Sequence, residues 1–261
     1  MTGISIYYIV KNEQGRLARS LAQSVRLADE IIVVDSGSTD ATVDIAKSFG
    51  AKVFFNRWRG FAIQKAYAAS LCSNPWVLEI DADETLSDEL IVSVRKALLR
   101  PDLDEFAGFN VRVDYVAPSV GHPQWYSPPQ YIMRLYNKNR AEIFAEESTI
   151  DDRARVKSGK VGSLKGGLLH QPVVSLSQME RKYLVLSDDQ AVEYAKKGRA
   201  PSLLRLLIEF PAKFFKYYVL RKNFLNGWYG FVVSMIAANR HFMKMAKAKE
   251  IVLLEKNEKS T

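Results

Sequence analysis

The stretch WVLEIDADETL, residues 76–86, places Glu79, Asp81, Asp83 and Glu84 behind an apolar strand pattern. Carboxylates crowded together repel one another and are costly to desolvate. A chain that ends a buried strand on them therefore needs a counter-charge, and a bound cation supplies one. The other arrangement consistent with these residues is a solvated helix start, where acids favour the positive end of the helix dipole. Two further groups have types suited to chemistry. IVKNE, residues 9–13, ends in Glu13, and VVDSGSTDAT, residues 33–42, brings Asp35, Ser36 and Ser38 into one loop. For Ser38, Thr39 and Asp40, helix capping stands beside ligand contact as a reading.

The elements that must position these residues follow from periodicity. ISIYYIV (4–10), EIIVVD (30–35), AKVFF (51–55) and WVLEID (76–81) read as buried strands. Between them lie helix patterns: Leu17, Leu21 and Val25 spaced by four, GSTDATVDIAKSFG stopped by Gly50, and GFAIQKAYAASLC. This alternation predicts a doubly wound, mostly parallel sheet. Ligands of such sheets bind at the carboxyl ends of the strands. Asp35 and Asp81 both fall at such ends, which predicts a shared site. From about residue 105 the pattern changes. FAGFNVRVDYV and QYIMRLYN read as strands, APSVGHPQWYSPP between them as a loop near the site, and GKVGSLKGGLLHQP as a turn and a strand ending at His170. After Ser177 the chain reads as helical. The expected organisation is 1–104 as one half of an α/β domain, 105–177 as the second half of the same domain, and 178–261 as a helical extension.

Composition narrows the classes. With 261 residues, 48% of them hydrophobic, the chain has enough apolar residues for one large α/β domain with an appendage. Cys72 is the one cysteine, which excludes a disulfide framework and favours a reducing compartment; its setting reads as a core thiol. No basic segment precedes the first apolar run, so the start reads as a strand rather than a signal peptide. The net charge of +8 is unevenly placed. Residues 196–261 hold 14 Lys and Arg against 4 Asp and Glu, leaving 23 against 25 in the rest. One basic surface, rather than nucleic acid gripped by the whole protein, is the expectation. Within 201–249, aromatics are interleaved with Arg205, Lys213, Lys216, Arg221, Lys222, Arg240, Lys244 and Lys247, and the longest uncharged run, Asn223–Asn239, is too short to span a bilayer. Helices lying in an anionic membrane interface fit this pattern; amphipathic helices packed on a core are the alternative.

The three acidic motifs, with GFAIQK, resemble inverting family 2 glycosyltransferases of the GT-A fold, in particular the branch of lipopolysaccharide inner-core β-glucosyltransferases. NGWYG and the basic helices resemble that branch as well. The resemblance implies a Rossmann-like GT-A sheet and a UDP-sugar donor, whose diphosphate leaving group is neutralised by a divalent cation, Mg²⁺ or Mn²⁺. It implies Asp83 as metal ligand, Asp81 and Ala82 beside the donor, Asp35 as the uracil- or ribose-binding acid, Glu13 near the ribose, and Lys65 facing the base or a phosphate. Arg134 in MRLYN becomes a diphosphate contact or a surface ion pair. His170 becomes a second metal or phosphate ligand, or a structural histidine. The branch often carries His-Glu where EIFAEESTID has Glu146-Glu147, which makes Glu147 the expected general base with Glu146 as the alternative. The implied activity is transfer of a hexose, from UDP-glucose, to a lipid-anchored saccharide by a cytoplasmic enzyme peripheral on the inner membrane face. A polyprenyl-linked sugar or protein acceptor, or a non-catalytic adaptor on the same fold, are the competing readings.

Overall fold

The computed structural model describes residues 2–116, 129–144, 152–173, 175–196 and 200–258, with side chains as far as 256. The chain divides into two compact units, Met1–Pro172 and Val173–Thr261.

The first unit begins with the expected alternation. β1 (Ile4–Val10) is followed by α1 (Leu17–Ser24), β2 (Glu30–Asp35), α2 (Thr42–Ser48), β3 (Lys52–Phe55), α3 (Phe61–Leu71) and β4 (Trp76–Glu79). The chain continues through β5 (Glu84–Leu86), α4 (Asp88–Leu98), β6 (Phe106–Tyr115), β7 (Gln130–Asn137), β8 (Ala141–Ile143), β9 (Ala154–Val156) and β10 (Lys160–His170). Among the described residues, eight strands form one sheet in the order β3-β2-β1-β4-β7-β6-β10-β5, and β8 pairs with β9 separately. β1, β2, β3 and β4 are mutually parallel, whereas β7 runs antiparallel to both β4 and β6.

The sheet is covered on both faces, as a parallel sheet must be. Alternate residues of β1 enter opposite cores: Ile4, Ile6, Tyr8 and Val10 join Leu17, Leu21 and Leu90, while Tyr7 joins Ile32, Val34 and Ala68. Cys72 lies in the second cluster, as a core thiol. Helix ends carry the chemistry that stops them. Ser87 caps α4 by accepting a bond from Leu90 N at 3.2 Å, with Asp88 and Glu89 in the first turn and Arg95 and Lys96 in the last. Gly50, at φ +76°, takes the left-handed position after α2.

Two local expectations are corrected. Val25 does not continue the buried face of α1; the helix ends at Ser24 and Val25 is exposed. Ser38, Thr39 and Asp40 do not cap α2, whose N-cap is Ala41 with no side-chain bond. Asp40 instead accepts from Thr42 N at 3.0 Å, a turn within the loop.

The second unit consists of α5 (Leu176–Ala195), α6 (Leu203–Phe215), a π-type turn at Lys216–Leu220, a short 3₁₀ turn at Asn223–Asn226 and α7 (Gly227–Glu258). Among the described residues, no helix is long and apolar enough to cross a membrane.

Candidate active site

Three loops at the carboxyl ends of β1, β2 and β4 are stitched together. Val10 pairs with Asp35 across β1 and β2, and Tyr7 pairs with Glu79 across β1 and β4, so the motifs sit at one edge of the sheet. Asn12 adopts φ +56°, uncommon for a residue with a side chain. In that conformation its N–H donates to Ser38 Oγ at 2.9 Å and its Oδ1 accepts from Thr39 N at 2.8 Å. Glu13 N donates to Thr42 Oγ1 at 2.7 Å. Asp35 turns back on its own loop, accepting from Gly37 N at 2.8 Å and from the Ser38 hydroxyl at 2.5 Å. α3 closes the same loop, since Gln64 Nε2 donates to Ser36 Oγ at 2.6 Å.

One residue along α3, Lys65 enters a buried ionic cluster. Its Nζ lies 2.7 Å from Glu79, 3.7 Å from Asp81 and 2.6 Å from Asp152. Arg134, on β7 opposite β4, pairs with Glu79, with Asp81 at 3.0 Å and with Glu84 at 2.9 Å. Behind them the Tyr7 hydroxyl donates to Glu79 at 3.0 Å and bonds Tyr136 at 2.9 Å. Arg134 is 6% exposed, so the surface ion pair is excluded; it is a buried partner of three carboxylates. Burial opposes ionisation of Asp81, but Arg134 and Lys65 outweigh it and hold the carboxyl down at about 2. Glu84 goes the other way: burial outweighs Arg134 and raises it to about 7. Burial would neutralise Lys65, yet Glu79 and Asp81 keep it charged.

The chain leaves β4 at Glu79 and turns through the buried Ile80 and Ala82 into β5. This decides between the two readings of the acidic run. It is a loop between strands, and the helix start lies later, at Ser87. β5 pairs antiparallel with β10, with Glu84 opposite His170. His170 Nε2 thereby comes 3.4 Å from Asp83 Oδ2. Arg16 reaches the same carboxylate at 3.5 Å and chelates Glu13 with bonds of 2.8 Å and 2.8 Å. Burial disfavours charge on both Asp83 and His170, but their mutual attraction lowers the Asp83 pKa and raises that of His170.

The residues read from sequence thus fall into three adjoining groups. Asp35, Ser36 and Ser38 shape one loop; Lys65, Asp81 and Arg134 share the buried cluster; Asp83, His170 and Glu13 meet around Arg16. Glu146, Glu147 and all but Pro129 of the loop expected near the site, residues 117–129, lie outside the described residues. Sequence reading gave no role to Arg16, Glu79, Glu84, Asp152 or Tyr7. Glu79 carried a signal: a lone acid inside the apolar run WVLEI needs a buried cation.

The donor set fits a hard divalent cation. Glu13, Glu79, Asp81, Asp83, Glu84 and Asp152 face three permanent cations, Arg16, Lys65 and Arg134, together with His170, a balance that leaves negative charge to neutralise. Among the described residues no three His, Cys, Asp or Glu side chains gather as a ready-made ligand set. Magnesium-type sites often take one or two carboxylates and complete their shell with water and substrate phosphates. Asp83 with His170 beside it matches that economy.

Comparison with known proteins agrees with the motifs. Residues 5–153 match the family described as Glycosyl transferase family 2. An uncharacterized glycosyltransferase of Rickettsia felis is 36% identical over 98% of this chain and 93% of its own length. The lipopolysaccharide core biosynthesis glycosyltransferase LpsC of Rhizobium meliloti is 31% identical over 94% of this chain and 91% of its own. A crystal structure of S. aureus TarS 1–349 in complex with UDP-GlcNAc aligns at 13% identity and TM-score 0.49, covering 98% of this chain and 92% of that one. The mixed sheet, parallel through β3-β2-β1-β4, has the GT-A arrangement, and the chain belongs to glycosyl transferase family 2.

Proposed function

We propose that the protein is an inverting hexosyltransferase that moves glucose from UDP-glucose onto a lipid-anchored saccharide such as lipopolysaccharide core, forming a β-linkage. The observation that carries this reading is the joining of the three acidic motifs at one sheet edge, with Arg16 bridging Glu13 to Asp83. Family membership supports glycosyl transfer, and the likeness to LpsC supports the acceptor class. In this reading Asp35, Ser36, Ser38 and Glu13 line the nucleoside side, and Lys65 and Asp81 face the sugar-diphosphate. Arg134 acts on the donor through Asp81. Asp83 and His170 would hold Mg²⁺ or Mn²⁺, which when bound would offset the charge gathering on the diphosphate.

Glu147 takes the proton of the acceptor hydroxyl. The hydroxyl oxygen attacks the anomeric carbon from the face opposite the UDP, and the bond to the diphosphate breaks as the new one forms, which inverts the configuration. In this reading the enzyme works at the inner face of the cytoplasmic membrane, where a lipid-anchored acceptor meets a nucleotide-sugar donor.

The test is transfer and UDP binding with and without Mn²⁺ in wild type and Asp83→Asn. A ligand that binds only the folded chain raises its melting temperature. The variant should still fold cooperatively without ligand, lose transfer, and lose most of the Mn²⁺-dependent shift with UDP. An unchanged Mn²⁺ dependence would remove Asp83 from the metal site, and no transfer or hydrolysis of any UDP-sugar by wild type would sink the enzyme reading.

A further inference from the structure

Helix α6 is built inside out. Its sequence LLRLLIEFPAKFF places Leu203, Leu204, Leu207 and Ile208 on one stripe at helical spacing, and each is at least half exposed. The stripe continues through Phe215, and Leu220 beyond the π-type turn is exposed too. The helix's acid, Glu209, is 5% exposed and turned inward, 3.0 Å from Arg205 and 3.7 Å from Lys213. A helix on the surface of a water-soluble unit does the reverse, with leucines in and acids out. The reversed order is stable where the outer surroundings are apolar.

The turn after α6 is fixed rather than loose. Phe214, Tyr218, Phe224 and Phe231 pack ring on ring with centroids 5.2 to 6.3 Å apart. Trp228 stands outside this cluster at 70% exposure. The apolar face is bordered by the exposed cations Lys216, Arg221 and Lys222, and between residues 201 and 249 the sequence holds no acid but the inward-turned Glu209.

We propose that this face of the C-terminal unit seats in the interface of an anionic lipid bilayer, α6 lying in the membrane plane with its leucine stripe among the acyl chains. The charge pattern selects this occupant. A second copy meeting it face to face would bring like-charged rims together, with no exposed acid between residues 201 and 249 to answer them, whereas an anionic headgroup layer answers each cation. The inference rests on the reading above for why a glycosyltransferase needs a bilayer, and on α6 and its border for the surface itself.

The experiment is co-sedimentation of the full chain with sucrose-loaded vesicles of phosphatidylcholine alone or mixed with phosphatidylglycerol. Wild type should sediment with the mixed vesicles. Lys216→Gln/Arg221→Gln/Lys222→Gln should lower partitioning onto them by roughly a hundredfold, the scale for three interfacial cations. Leu204→Glu/Leu207→Glu should abolish the salt-resistant part of binding. All these side chains are exposed, and circular dichroism of both variants should match wild type. Hydrolysis of UDP-glucose in the absence of vesicles is measured alongside. Hydrolysis without vesicle binding overturns this surface and leaves the enzyme reading standing; binding without hydrolysis does the opposite. Variants that bind like wild type, or a wild-type dimer in light scattering that the leucine variant dissociates, also overturn the proposal.

Discussion

Asp81 and Glu84 stand three residues apart in one loop, yet their surroundings drive them in opposite directions. Asp81 faces both Arg134 and Lys65 and stays ionised, while Glu84, deeper, is raised to about 7. Spacing makes Asp35 and Asp81 legible, because strand ends are countable from sequence, whereas Asp83 is pointed to by the family resemblance. Spacing does not reveal the contact of Arg16 with Asp83 or that of Asp152 with Lys65, residues far apart along the chain. Long-range ion pairs leave no periodic trace. In the proposed reaction Glu147 is the general base. Glu147→Gln keeps the size and removes the basic oxygen, so turnover should fall by roughly 10²-fold or more, the scale of general-base catalysis. The affinity for UDP with Mn²⁺ should stay within error of wild type, since the base meets the acceptor. Steady-state rates beside UDP titration separate the two, and near-normal turnover would move the role to Glu146.

At the scale of elements, the alternating half of the sheet was readable because each buried strand is a continuous apolar run and each helix repeats every three to four residues. β5, β8 and β9, three residues each, fall below the length at which a pattern exists. β5 nevertheless decides the site, because its pairing with β10 sets His170 opposite Glu84. What holds β10 in place is a close backbone approach at its bulge between Ser163 and Gly167. Gly166 sits there at φ +76°, and a Cβ on it would lie 2.3 Å from Leu90 N of α4. Ser87 completes the junction, its Oγ accepting from Gly167 N at 3.0 Å. Gly166→Ala would meet both a disfavoured dihedral and a backbone clash, so it should destabilise the fold by more than about 1 kcal/mol. Urea unfolding measures this, and an unchanged midpoint would show that α4 and β10 can part without cost. Activity should fall with stability, because the same junction positions His170 beside Asp83.

Over the whole molecule, charge is segregated: residues 196–261 carry the excess of cations, with 14 Lys and Arg against 4 Asp and Glu, and the remainder is slightly acidic. The acidic part sets the response to low pH. Glu30 shows how this works away from the site, at the opposite ends of the parallel strands. It opens β2, accepts from Ser5 Oγ on β1 at 2.5 Å and from Ser73 N before β4 at 2.8 Å, and pairs with Lys52 on β3 at 2.8 Å. One carboxylate therefore ties together all four parallel strands. Burial alone would raise its pKa, but these bonds outweigh burial and bring it down to about 2. A carboxyl whose folded pKa lies below its unfolded value stabilises the fold when ionised. That stability is complete above the unfolded value, near 4.5, and is lost as pH falls toward about 2. Glu30→Gln should therefore lower the unfolding free energy at neutral pH, and the gap between variant and wild type should close across that window. Urea unfolding followed at a series of pH values tests it. Parallel curves from neutral pH down to about 2 would mean that Glu30 is no better held in the folded chain than in the unfolded one.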